Sequence, residues 1–222
     1  MLPAAVLVGR RIWHGGRIMS VKAMLREYIG DLPEDQLFCT RDLLGLCSRQ
    51  SLDVALSALV KEEFLERLAQ GVFRLRKAEN APVSPLVVAE VKLKAFGKSM
   101  FDLPEERRSP VSRKLVSAET ESSLVIVGTD GKSSSFRYQG KKIVCLSLGP
   151  RKCRLGNGLF GSTLRRLWLL GSGEIPKEQA QPAIDNLLMN QQLWNKFVKF
   201  LPDWLCRQLS MAGLAYRPAQ VV

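Results

Sequence analysis

Between residues 37 and 77 the spacing of apolar positions changes twice, and each change predicts a boundary. Thr40 stands before Arg41-Asp42-Leu43-Leu44, which predicts a short helix capped by Thr40. Gly45-Leu46-Cys47 predicts a turn, with Gly45 at a natural helix stop. Ser48 predicts the cap of a second helix. There Leu52, Ala55, Leu56, Leu59 and Val60 recur at i, i+3, i+4, i+7 and i+8 and form one apolar stripe. Arg49, Gln50, Ser51, Asp53, Ser57 and Lys61 fall off that stripe and face outward. After Glu62-Glu63 the pattern becomes that of two strands, Phe64–Leu68 and Val72–Arg76. Ala69-Gln70-Gly71 between them predicts a tight turn in which Gly71 takes a positive φ. Upstream, Ser20 predicts a helix cap, with Val21, Met24, Leu25 and Tyr28 on one face.

Helix, short helix, turn, helix and two-stranded hairpin follow one another in the order of a winged helix-turn-helix, here over residues 20–80. Such a unit offers the first turn of its second helix to a DNA major groove. Arg49 and Gln50 have the geometry for bidentate contacts to guanine and adenine edges, and Ser51 is less selective. Arg41, Ser57, Arg67, Gln70 and Arg74 complete the candidate DNA-binding set, with Arg67, Arg74, Arg76 and Lys77 on the hairpin holding phosphates and fixing register. Residues 1–80 carry 12 basic and 10 acidic side chains, so DNA binding requires the two signs to be segregated. The competing reading is a three-helix scaffold with merely solvated charges, or a protein–protein module.

The rest of the chain reads as a mixed domain over residues 84–222, making the expected class α+β, with a small antiparallel sheet and several helices. Asn80–Pro85 is a linker, and Pro85 is pre-set for a helix that runs to about Lys98. Met100–Ser109 reads as charged and irregular, and strands are expected from near Val111. Leu124–Val127, Ser134–Tyr138 and Ile143–Leu148 predict strands, with Gly140 in a turn. Leu159–Leu170 predicts a helix with Leu164, Leu167, Trp168 and Leu170 inward. A further helix opens at Pro176 and includes Ile184, Leu187 and Leu188; two helical pieces broken at Pro202 occupy 193–210. Residues 1–18 look unlike the rest. Met19 opens a sensible helix and is expected to be the biological start, which makes 1–19 a doubtful, over-called leader; the alternative is a basic arm that touches DNA.

Composition narrows the function. The 222 residues are 46% hydrophobic and 24% charged, which excludes wholesale disorder and collagen or coiled-coil architectures. The longest apolar runs, such as Leu2–Val8, are too short to cross a bilayer. The formal charge of +12 favours a polyanionic partner. Between 107 and 154 eleven Lys or Arg face three acidic residues. Arg137, Lys141, Lys142, Arg151, Lys152 and Arg154 are the candidate basic C-terminal surface, against the plain alternative of a solvated face. Five cysteines, an odd number with no C-x-x-C pair and no secretory signal, fit a reducing cytoplasm. With His14 the single histidine, neither a structural zinc site nor a Cys–His nucleophile is expected.

Gly156-Asn157-Gly158-Leu159-Phe160-Gly161 spells G-x-G-x-x-G before a helix. The preceding Pro150–Leu155 is basic and unlike a buried strand, so the motif reads as a loop entering a helix, and no cofactor is expected. Gly128–Ser133 lacks the spacing of a phosphate loop, and no carboxylate pair suggests a two-metal site. The residues therefore indicate a non-enzyme.

Two sets of residues resemble the AbiEi-type antitoxins of type IV toxin–antitoxin systems. The first is Phe38–Leu43, Ser48-Arg49, Ala55–Glu62 and Arg67–Phe73; the second is Val125–Gly131, Gly140–Ile143 and Leu164–Gly171. Together they span roughly residues 20–200. The resemblance implies a cytoplasmic, phage-defence repressor that binds inverted repeats in its own promoter as double-stranded DNA. It also implies a C-terminal domain that counteracts a nucleotidyltransferase-like toxin without a stable complex, with no membrane partner. A basic centre that engages a nucleic acid also used by the toxin is one mechanism this suggests. The alternative is a stand-alone winged-helix regulator of a mobile element with no cognate toxin.

Overall fold

The computed structural model describes residues 6–8, 11–14, 17–33, 35–77, 80–103, 124–171 and 191–211. They form a mixed α+β chain of seven α-helices and three small sheets. They divide into two compact units, one within Met1–Lys98 together with Ser135–Ile143, the other within Ser99–Ser134 and Val144–Val222.

The first unit begins with three short strands, β1 (Val6–Val8), β2 (Arg11–His14) and β3 (Arg17–Ser20), paired antiparallel in that order. The described residues among those read from sequence as a leader or arm are therefore strand. Ser20 ends β3 and caps α1 (Val21–Gly30), its side chain accepting from Ala23 N at 3.2 Å. Met24, Leu25 and Ile29 of α1 are buried with Leu52, Ala55, Leu56 and Leu59 of α2 (Arg49–Lys61) in one core. Ser48 caps α2 through Ser51 N at 3.3 Å, as its sequence position predicts.

The short helix before α2 is a 3-10 turn, Thr40–Leu43, and its cap differs from the sequence expectation. The Asp42 carboxylate accepts from Cys39 N at 2.7 Å, while Thr40 N donates to Gly71 O at 3.0 Å. Thr40 thus fastens this turn to the hairpin rather than capping it.

At its C-terminus α2 reverses through Glu63, whose φ is +58°. Phe64 N reaches back to Leu59 O at 3.0 Å and Glu63 N to Val60 O at 3.1 Å, a Schellman closure with glutamate where glycine is usual. The reversal feeds β5 (Leu65–Ala69) and β6 (Val72–Leu75), joined at Gln70-Gly71 with Gly71 at φ +76°. β4 (Phe38–Cys39) pairs with the far side of β6, giving the order β4-β6-β5. After the linker, Ser84 and Pro85 start α3 (Pro85–Ala95), which stops three residues short of the sequence expectation.

The remaining sheet is ordered β7-β8-β10-β9, from β7 (Met100–Phe101), β8 (Leu124–Thr129), β9 (Ser134–Tyr138) and β10 (Lys141–Ser147). β7 falls where the sequence reads as irregular; it pairs antiparallel with β8 through Met100↔Thr129 and Phe101↔Gly128. Gln139 and Gly140 both take positive φ, +48° and +73°, the conformation that closes a two-residue hairpin. In the second unit α4 (Pro150–Cys153) leads into α5 (Leu159–Leu170), which packs Phe160, Leu164 and Leu167 against α6 (Gln191–Phe197) and α7 (Asp203–Met211). The strands expected near Val111, the helix opening at Pro176, and Arg107, Arg108, Arg113 and Lys114 lie outside the described residues. Among the described residues no helix is long and apolar enough to cross a membrane, and no three His, Cys, Asp or Glu side chains gather as a metal site.

Candidate nucleic-acid interface

Because Leu52, Ala55, Leu56 and Leu59 turn inward, the opposite face of α2 is left to solvent with Arg49, Gln50, Asp53, Val54, Ser57 and Lys61 on it. Its first turn is ordered by Ser48 Oγ donating to Ser51 Oγ at 2.9 Å, and further along Ser57 Oγ back-bonds to Asp53 O at 2.7 Å. Arg49 Nε donates to Asp53 Oδ2 at 2.9 Å. That pair is exposed and contributes little to stability. Its geometric effect is larger: with Nε occupied, the two terminal nitrogens of Arg49 remain as a fork, the shape that matches two acceptors on one base edge.

Between α2 and the β5–β6 hairpin lies a groove of about 610 Å³. Arg49, Ser57 and Lys61 line it from α2, Arg67 and Gln70 from the hairpin, and Arg41 from the 3-10 turn. Leu56, Val60 and Phe73 also line it. Lys92 of α3 and Phe96, the residue that caps its C-terminus, join them. Lys92 Nζ donates to Gln70 O at 3.0 Å and lies 4.4 Å above the Phe136 ring, and the Arg41 guanidinium lies 4.8 Å over Phe96. The sequence pattern does not single out Lys92 and Phe96. Their i, i+4 spacing puts them on one helix face, but only the packing of α3 beside the hairpin shows where that face points.

The balance of charge follows from which carboxylates are engaged. Lys22 and Arg26 hold Glu62 at 2.6 and 3.2 Å, and the hydrogen bond from Lys22 is foremost in keeping its carboxyl below the usual range. Arg76 meets Glu63 at 3.6 Å and Arg74 meets Glu66 at 2.7 Å. Asp42 is occupied by the Cys39 backbone. The groove is left with Arg41, Arg49, Lys61, Arg67 and Lys92 against Asp53 alone, so the signs are segregated although the totals nearly cancel.

Arg74 does not belong to this face. It is 6% exposed, and its guanidinium donates to Glu66 Oε2 and Ala81 O, both at 2.7 Å. The expectation that it holds a phosphate is corrected: it ties the hairpin to the linker. Arg74→Met is therefore expected to lower stability by about 1–2 kcal/mol, since Glu66 can rehydrate while the Ala81 carbonyl loses its donor. Urea unfolding measures that loss. The slope of DNA affinity against salt should stay at the wild-type value, and a shallower slope would restore Arg74 to the phosphate contacts.

The six residues read as one basic C-terminal surface fall in the two different units. Arg137, Lys141 and Lys142 belong to the β9–β10 hairpin segment grouped with the first unit. Arg151, Lys152 and Arg154 lie at α4 in the second. Arg151 donates to Phe200 O and Leu201 O at 3.1 and 2.8 Å, and Lys152 lies 4.8 Å over Trp168.

None of the five cysteines forms a disulfide. Burial foremost, then the Asp42 charge, pushes the Cys39 thiol up to about 11, the opposite of what a nucleophile requires. The G-x-G-x-x-G segment is preceded by the short helix α4 and not by a strand, which removes the βαβ setting of a pyrophosphate loop. No protein-family profile, curated protein or solved structure matches the chain.

Proposed function

We propose that residues 20–80 act as a winged helix-turn-helix on double-stranded DNA, with α2 as the reading helix and the β5–β6 hairpin as the wing. The observation that carries this reading is the exposed α2 face bearing Arg49 and Gln50 beside a groove whose cations outnumber its carboxylates five to one. The first turn of α2 enters the major groove, and Arg41, Lys61, Arg67 and Lys92 neutralise phosphates of the strand that passes between helix and hairpin. On this reading the chain is a cytoplasmic repressor of its own operon. The resemblance carried by Val125–Gly131, Gly140–Ile143 and Leu164–Gly171 extends it to an antitoxin of a type IV system, opposing a nucleotidyltransferase-like toxin encoded beside it.

Footprinting on the gene's own upstream DNA at two salt concentrations tests the DNA-binding reading. The wild-type chain should protect inverted repeats. A variant with Arg49→Ala and Gln50→Ala should lose about two orders of magnitude in affinity for them, at about 1–3 kcal/mol per bidentate base contact. It should keep the weak, salt-sensitive binding that the phosphate contacts supply. Equal protection by both proteins would remove α2 as the reader.

A further inference from the structure

The DNA-facing side of α2 carries one side chain that no polar contact explains. Val54 is 68% exposed, one turn beyond Gln50 and beside Ser57 and Ala58 in a shallow concavity of the same face. A β-branched residue is a poorer helix former than alanine, and at this position it receives no packing in return. The same concavity is lined by Arg49, Gln50, Asp53, Ser57, Ala58 and Lys61, so Val54 stands as the one large aliphatic side chain among groups that can approach a base edge.

We propose that Val54 reads the 5-methyl group of a thymine. The proposal rests on the winged-helix reading above and adds to it a base-specific contact outside the hydrogen-bonding residues. In the major groove thymine alone among the four bases presents a methyl, and an aliphatic side chain is the group that recognises it. Gln50 and Val54 are four residues apart on the helix, about 6 Å along its axis. That distance spans about two base steps at about 3.4 Å each, so the thymine lies within about two steps of the adenine that Gln50 is suited to contact. Alanine at residue 58, one turn further on, keeps the helix surface low there and lets the groove floor approach Val54 closely.

The test uses the full chain and duplexes that it enriches from a randomised pool. In an enriched duplex each thymine is replaced in turn by uracil, which removes only the methyl. Uracil at one position of each recognised site should weaken binding about fourfold, the equivalent of losing one buried methyl group. Val54→Ala should weaken binding to the thymine duplex by a similar factor and bind the thymine and uracil forms equally. The variant substitutes an exposed position with a better helix former, so its fold is preserved. Uracil tolerated at every position, or a full uracil penalty retained in Val54→Ala, overturns the methyl contact and leaves the DNA-binding reading standing. Failure to enrich any duplex overturns both.

Discussion

Gly161→Ala is expected to destabilise the second unit by roughly 3 kcal/mol or more, although the same exchange in an ordinary helix interior is worth about 1 kcal/mol of stabilisation. Gly161 is the third residue of α5 and is buried. A Cβ built on it overlaps the Leu155 carbonyl oxygen and lies 3.2 Å from that of Gly156. The obstacle is backbone, so no rotamer change relieves it. Leu155 is itself a core residue at 1% exposure, and Gly156 is held at φ +71° by the loop that follows. Either the loop or the first turn of α5 has to move. Gly158→Ala is the control: a Cβ there meets nothing within 4 Å, and the φ of −61° suits any residue. Three of the four tryptophans, Trp168, Trp194 and Trp204, belong to the second unit, so their fluorescence during urea unfolding reports the change directly. A Gly161→Ala midpoint at or above that of wild type would show that the loop yields without cost. The result also bears on the glycine motif: its last glycine is explained by a carbonyl packed on a helix, with no ligand required.

Arg165→Met is expected to cost about 2–4 kcal/mol, read by the same tryptophans. Arg165 is fully buried, with its guanidinium 4.8 Å over the Phe101 ring. Nη1 donates to Gly156 O at 2.6 Å, and Nη2 reaches Ser162 Oγ at 3.3 Å and Asn157 Oδ1 at 3.5 Å. Asn157 in turn donates to Met100 O at 2.7 Å, so one side chain fixes the loop that fixes a strand end. Two effects oppose each other. Burial disfavours the cation and is the foremost cause that lowers its pKa, with the Asp102 charge acting the other way. Methionine would relieve that desolvation, yet it would leave the Gly156 carbonyl without a donor and the loop without its anchor. A charge-assisted hydrogen bond at 2.6 Å and the buried acceptor it satisfies outweigh the relief, because Nε alone of the guanidinium nitrogens goes without a partner. Arg165→Lys should recover only part of the loss, since an ammonium cannot span the fork of acceptors. A methionine variant as stable as wild type would mean that desolvating the cation costs as much as its hydrogen bonds return.

The parts of the fold that could be read from sequence are those that neighbouring residues decide. Ser20, Ser48 and Ser84 cap helices because a hydroxyl needs only the amide two or three residues on. The stripe of α2 and the turn at Gly71 are equally local. The errors arise where a distant backbone takes over. Arg74 turns inward because three successive residues of β6 are buried, after an irregularity between Arg67 and Ala69 on β5 disturbs the alternation. Its partner Ala81 lies in the linker that follows. Arg165 falls on the inner face of α5 beside Leu164, a position that polarity alone assigns to solvent, and two of the three acceptors that make it tolerable, on Gly156 and Asn157, sit in the preceding loop. β7 is two residues long and exists only through its pairing with β8. In the candidate site, Arg49, Gln50, Ser57, Arg67 and Gln70 were legible from helical and hairpin periodicity. Lys92 and Phe96 required the packing of α3.

The grouping of Ser135–Ile143 with the first unit bears on how the chain is made. Tyr138 is 3% exposed, and its hydroxyl donates to Val83 O at 3.0 Å; Phe136 carries the Lys92 ammonium on its ring. These partners leave the ribosome some fifty residues apart. Helix α2 and the β5–β6 hairpin can collapse early, but the contacts made by Phe136 and Tyr138 form only once residues 135–143 have emerged. By then the strand β8 of the other unit is already outside the exit tunnel. Synthesis therefore interleaves the two units instead of finishing one before starting the next, and a gene cut at the linker at 80–85 would strip from the first unit the contacts that α3, Phe136 and Tyr138 supply.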